Sequence, residues 1–141
     1  MAGSAQTETA RRQFEEVWST GNLDVVDEIL AEDFVRHGPD LEGGQINGRE
    51  GFKGLVTLFR TGLPDMDVPI DEMLEIGDRV IVRWHLTGTN TGGALGQEPN
   101  GKRVNISGQH MQRFTGEQVA EEWVSYDALG LIQQLGLELP G

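Results

Sequence analysis

The sequence predicts an α+β domain: a cone-shaped fold in which a strongly curved antiparallel β-sheet wraps around three N-terminal helices, with a short helix at the C-terminus. Apolar residues recur at helical spacing as far as Thr61, and from Met66 to Tyr126 the period changes to two. Short turns at Gly77-Asp78 and Thr115-Gly116-Glu117 join the later segments, a length that pairs strands as antiparallel hairpins. The 141 residues suffice for one continuous core and match the usual size of one domain. Residues 1–6, small and polar, are expected to be disordered, and 7–141 to form the single domain.

The first helix is expected over Thr7–Thr20. Acidic residues follow Thr7, Gly21-Asn22 is a stop, and Phe14, Val17 and Trp18 fall at i, i+3, i+4. A second, short helix spans Leu23–Ala31, with Asn22 or Asp24 as its cap and Val26, Ile29 and Leu30 as its buried face. Residues 32–47 read as irregular, apart from a short extended piece at Phe34-Val35. Gly48 opens a third helix ending near Thr61, in which Phe52, Leu55, Val56 and Phe59 repeat at i, i+3, i+4, i+7. Strands follow at Met66–Ile76, Arg79–Thr89, Val104–Phe114 and Gln118–Tyr126. Pro69 marks the first of them as an edge strand or a bulged one. The Gly-rich stretch Asn90–Arg103 has no phosphate-binding pattern and reads as a lid or a dimer contact. Asp127 starts the last helix, with Leu129, Ile132 and Leu135 as its apolar positions. Helices covering one face of a twisted sheet leave a cone-shaped interior, where a small, mostly apolar pocket is expected.

Charge narrows the partners. The net charge is −12, from 23 acidic and 11 basic side chains. Nucleic acid needs a basic footprint, which is missing, and the same acidic field repels an anionic bilayer. The absence of Cys excludes disulfides, thiolate zinc sites and cysteine nucleophiles, and suits a reducing compartment. The N-terminal segment lacks an apolar signal core, and no apolar run approaches a membrane span, so a cytoplasmic location is expected.

Three histidines, His37, His85 and His110, form no close ligand pair, and no metal is expected. There is no GxSxG elbow for a serine nucleophile. Acid–base chemistry remains. Along Val104–Phe114 the more apolar face carries Val104, Ile106, Gly108, His110, Gln112 and Phe114, so His110 and Gln112 point inward. An imidazole there can move protons near neutral pH, or can be a core His held by a hydrogen bond. Trp84 points inward on its strand, and His85 outward with Arg83. On Gln118–Tyr126 two readings stay open: either Glu122, Val124 and Tyr126 face the interior, or Glu121 and Trp123 do. Asp127 is an N-cap or a base. His37, its backbone fixed by Gly38 and Pro39, can reach across the mouth of the cup.

Several strings together resemble the SnoaL-like polyketide cyclases, a branch of the nuclear-transport-factor-2-like superfamily, over roughly residues 10–137. They are RRQFEEVWSTGNLDVVDEILAEDFVRHGP, GREGFKGLVTLFRTGLPD, VIVRWHLTGTNTGGALG, PNGKRVNISGQHMQRF and EEWVSYDALGLIQQLG. The resemblance implies a homodimer formed through the sheet and an intramolecular aldol ring closure on a hydrophobic, polyketide-like carbonyl substrate, with no metal or organic cofactor. It implies a pocket His and a carboxylate that take and return the proton α to a carbonyl. His110 matches the pocket His. The catalytic Asp of the family falls, by gapless counting, on Val124, which cannot accept a proton, so a shifted register leaves Glu122 or Asp127 as base. The catalytic set expected is therefore His110, Glu122 and Asp127, with His37, Trp84, Gln112, Trp123 and Tyr126 lining the pocket. The alternative is the same cup as a non-catalytic homodimer that binds a small ligand. A limonene-type epoxide hydrolase would need an Arg and two Asp where His110, Gln112 and Val124 or Ser125 stand, which excludes that activity.

Overall fold

The computed structural model describes residues 4–39 and 44–136. Helix α1 (Ala5–Arg12) begins ahead of the expected Thr7, because the Ser4 hydroxyl accepts from the Thr7 N–H at 3.1 Å and caps it. Residues 4–6, expected to be disordered, thus form the cap and first turn; residues 1–3 lie outside the described chain. The helix then changes to π geometry over Gln13–Trp18, where the Ser19 N–H donates to the Phe14 carbonyl at 2.9 Å. Bonding to the fifth residue back, not the fourth, brings Gln13 and Trp18 to one side. Gln13, Phe14, Val17 and Trp18 are all buried.

The second helix is shorter than expected, a 3₁₀ turn at Leu23–Val25 followed by α2 (Val26–Ile29). Leu30 and Ala31 already belong to β1 (Leu30–His37), so most of what was expected to be irregular is strand. Strand β2 (Gln45–Asn47) pairs antiparallel with it, and α3 (Gly48–Gly62) follows, burying Phe52, Leu55, Val56 and Phe59 as its period requires. Strands β3 (Ile70–Ile76), β4 (Arg79–Thr89), β5 (Arg103–Thr115) and β6 (Gln118–Tyr126) complete the sheet, and α4 (Ala128–Gln134) ends the described chain. Before β3, Asp67 makes only an isolated bridge to Thr87; Pro69 follows, and the β3–β4 ladder bulges between Ile70 and Glu72.

The strand order is β2-β1-β6-β5-β4-β3. Every pair is antiparallel except β1–β6, which is parallel, so the curved sheet is mixed, not antiparallel throughout. The long connection through α3 and four strands imposes no hairpin on β1, which is what lets it lie parallel to β6. The helices pack inside the curve. Phe14, Phe34 and Phe52 are fully buried, and Phe52 meets Phe34 and Trp18 edge-on at 5.6 and 5.5 Å. Each such side chain contributes about 2–3 kcal/mol by burial. The Gly-rich segment after β4 is folded down by Asn90, whose amide bonds Glu98 O, Asn100 Oδ1 and the N–H groups of Gly93 and Ala94. Gly92 packs so tightly there that a Cβ would sit 1.8 Å from the Thr61 carbonyl oxygen.

Candidate active site

Strand alternation delivers the interior side chains. On β5, His110 and Gln112 point inward, as expected; on β4, Trp84 does. On β6 the open question resolves toward Glu122, Val124 and Tyr126. Glu122 stands across from Gln112 and Val124 across from His110. The ladder slips between Arg113 and Phe114, leaving Ala120 as the extra residue, and this bulge sets the face that β6 presents. On β1, Phe34 and Arg36 point inward.

These strands converge on a polar cluster sealed from water: Arg36, His110, Gln13, Gln112 and Glu122 are all at most 3% exposed. Arg36 Nη1 donates to Glu122 Oε2 at 2.7 Å. Gln13 Nε2 and Gln112 Nε2 donate to Glu122 Oε1 at 3.0 and 3.3 Å, and Gln112 Nε2 also donates to Gln13 Oε1. His110 Nε2 lies 3.5 Å from Glu122 Oε2. Burial pushes the Glu122 carboxyl up, but the His110 charge and hydrogen bond, then Arg36 and Gln13, outweigh it and pull it down to about 2. The His110 contribution needs the imidazolium form; Arg36 and Gln13 hold the carboxylate in either case. Glu122 is therefore ionised at neutral pH.

Trp84 Nε1 lies 2.7 Å from His110 Nδ1. An indole N–H can only donate, so Nδ1 presents its lone pair and the neutral ring carries its proton on Nε2. Arg36 Nη1 sits 3.1 Å from Nε2, but it too can only donate, so the Nε2 proton belongs to Glu122. Gly108 makes the arrangement fit: a Cβ there would fall 2.5 Å from Trp84 Cζ2. Phe14 meets the imidazole edge-on at 5.0 Å between ring centroids.

In front of His110 lies a narrow cavity. Its polar-tipped wall residues are Arg36, His110, Tyr126, Trp84 and Trp18; the rest, such as Phe14, Phe59 and Leu86, are apolar. Of the expected lining, Trp84 and Tyr126 are in place. Gln112 is inside but stands behind the wall, bonded to Gln13 and Glu122. His37 and Trp123 are corrections: each is one step off the inward positions of its strand, and they stack on the convex face at 5.6 Å. There His37 Nε2 is 2.7 Å from Glu121 Oε2, and this contact leads in holding the Glu121 carboxyl below its ordinary range. Asp127 is also a correction, since its carboxylate accepts from the Gly130 N–H at 2.8 Å as the N-cap of α4. Sequence reasoning missed Arg36, Gln13 and Trp18 as site residues. Among the described residues no group of three His, Asp or Glu is placed to hold a metal ion.

Sheet and cavity together define a class: this is the cone-shaped α+β fold of the nuclear-transport-factor-2-like proteins. A protein of Jannaschia sp. CCS1 described as a candidate SnoaL-like polyketide cyclase shares it, with a TM-score of 0.85 at 24% identity over 99% of both chains. The family model for SnoaL-like polyketide cyclases matches residues 8–135, and the chain belongs to that family. A candidate polyketide cyclase of Acidithiobacillus ferrooxidans is 30% identical over 96% of this chain and 97% of its own, with a TM-score of 0.85. IdmH of Streptomyces antibioticus, also a candidate polyketide cyclase, is 26% identical over 94% of this chain and 99% of its own, with a TM-score of 0.82. No curated protein matches the sequence.

Proposed function

We propose that the chain is a cofactor-independent cyclase that closes a ring in a hydrophobic, polyketide-like ester by intramolecular aldol chemistry, with His110 as the proton carrier and Glu122 as its partner. The support is one piece of geometry in a member of this family: an ionised, buried carboxylate 3.5 Å behind Nε2 of a His that fronts an apolar cavity. Nδ1 holds the ring's lone pair and accepts from Trp84. A carbonyl substrate that displaces the indole presents its α C–H to Nδ1, which takes the proton. The Glu122 carboxylate stabilises the resulting imidazolium through Nε2–H, the role a carboxylate plays behind any catalytic His. The enolate carbon attacks the second carbonyl, forming the C–C bond, and the imidazolium returns its proton to the new alkoxide. Low polarity and the Arg36 charge favour the developing oxyanion. His110→Ala lowers kcat/KM for ring closure of an aromatic polyketide ester by about 10²–10⁴-fold. An unchanged value removes His110 from the mechanism.

A second function, capture of a small apolar ligand without chemistry, is favoured by Val124, which faces inward directly across from His110 where the family places its acid. The two differ in outcome: a pure binder holds the ester unchanged.

A homodimer through the convex face is part of the same proposal. Leu74, Ile81, Met111, Trp123 and His37 pair in turn across β3, β4, β5, β6 and β1, making one largely apolar row on that face. No helix among the described residues is long and apolar enough to cross a membrane. The acidic surface and lack of Cys suit a cytoplasmic home.

A further inference from the structure

Two buried side-chain polar atoms have no hydrogen-bond partner among the described residues: the Trp18 indole N–H and Gln112 Oε1. They differ in place. Gln112 stands behind the wall, whereas Trp18 lines the cavity and is only 5% exposed. A buried donor without an acceptor costs about 1–3 kcal/mol, and an indole can accept no substitute bond. The other two tryptophans carry no such cost. Trp84 donates to His110 Nδ1, and Trp123 lies on the convex face. Trp18 is held firmly: Phe52 and Phe59 meet its ring edge-on at 5.5 and 6.0 Å, and the Arg36 Cζ lies 5.6 Å from its centroid. The π turn that carries Trp18 is itself a departure from the cheaper α geometry, of the kind found at functional sites.

We infer that the Trp18 indole N–H is the specificity-determining donor of the cavity, and that it selects flat apolar ligands bearing an acceptor oxygen, such as an aryl ketone or ester carbonyl. The neighbouring Arg36 charge makes an oxygen with partial negative character the best occupant. A ligand of the same shape without the oxygen leaves the N–H unpaired and is rejected, as sites built to bond a polar group reject analogues lacking it. The inference rests on the proposed small-molecule site but not on catalysis within it.

The test uses the full chain labelled with ¹⁵N and two probes of one shape, 2-acetylnaphthalene and 2-ethylnaphthalene. The three tryptophans supply three indole N–H resonances, and the one missing in Trp18→Phe belongs to Trp18. The acetyl probe shifts the Trp18 resonance downfield and the ethyl probe leaves it nearly in place. In titrations the wild type prefers the acetyl probe by roughly 5- to 100-fold, and Trp18→Phe abolishes most of that preference while keeping its affinity for the ethyl probe. The inference is overturned if both probes bind and leave the Trp18 resonance alike, if the preference survives in Trp18→Phe, or if the wild type takes neither probe. The Trp18 resonance is also assigned by elimination from Trp84→Phe and Trp123→Phe, so the wild type reports even where Trp18→Phe folds poorly. Because no turnover is read, a failed cyclase assay with these shifts present would refute the catalytic proposal and leave this one standing.

Discussion

Replacing Glu122 by Gln keeps the shape of the side chain and removes its charge, in a place where every neighbour is a donor. Oε2 accepts from Arg36 at 2.7 Å; Oε1 accepts from Gln13 at 3.0 Å and Gln112 at 3.3 Å. A Gln amide has one oxygen and one NH₂, so either orientation sets a donor against a donor and takes the negative member out of the buried Arg36–Glu122 pair. Breaking a buried pair on one side costs about 3–5 kcal/mol. The titration of Glu122 sets an independent scale. A carboxyl that titrates near 2 in the fold and near 4.5 unfolded is linked to about 3 kcal/mol of stability. Its folded value is depressed, so that stability is fully present above pH 4.5 and drains away as the pH falls toward 2. Urea unfolding at pH 7 reads the loss as a lower midpoint at unchanged slope, and heating reads it as a Tm lower by roughly 10 °C. The gap between wild type and Glu122→Gln narrows to about half by pH 3, because the unfolded wild type then binds a proton on Glu122 that the folded carboxylate, titrating near 2, still refuses. Replacing both Arg36 and Glu122 by Met is milder than Glu122→Gln alone. A loss under about 1 kcal/mol at pH 7, or a gap that ignores pH, refutes this account of the cluster.

Two further substitutions separate roles within the site. Asp127→Ala unties the cap on Gly130 and lowers stability by about 1 kcal/mol, with kcat/KM for ring closure unchanged; a hundred-fold fall would reinstate Asp127 as a base. Trp84→Phe removes the donor at His110 Nδ1 and costs about 1 kcal/mol. Nitrogen chemical shifts of neutral His110 show Nε2–H alone in the wild type, and in the variant Glu122 still holds that proton; a neutral wild-type ring protonated on Nδ1 would contradict the tautomer argument.

Periodicity made the inward placement of His110 and Trp84 legible, because the opposite faces of β5 and β4 are plainly more polar. It could not decide β6, whose two faces each carry a Glu and an aromatic residue. That choice depended on pairing with β5 and on the bulge at Ala120, neither of which leaves a local mark. Arg36 was hidden because residues 32–47 read as irregular; the cue available was its spacing of two from Phe34, which puts both on one side of an extended strand. Gln13 lies three residues after Ala10 and four before Val17, on the buried stripe of the helix, but nothing in its spacing marks Glu122 and Gln112 as its partners. His37 reads as a loop residue at the mouth and Trp123 as one of two possible inward faces of β6; both stand on strands whose alternation sends them to the convex face.

The central claim is proton transfer at carbon by His110. Deuterium uptake from D₂O into the position α to the carbonyl of a bound aromatic keto ester measures that step without requiring ring closure. Wild type should exchange this proton well above the buffer rate, with His110→Ala at background and Glu122→Gln much slowed. Binding without exchange by the wild type, or equal exchange by His110→Ala, would contradict the claim and leave a ligand-holding cup.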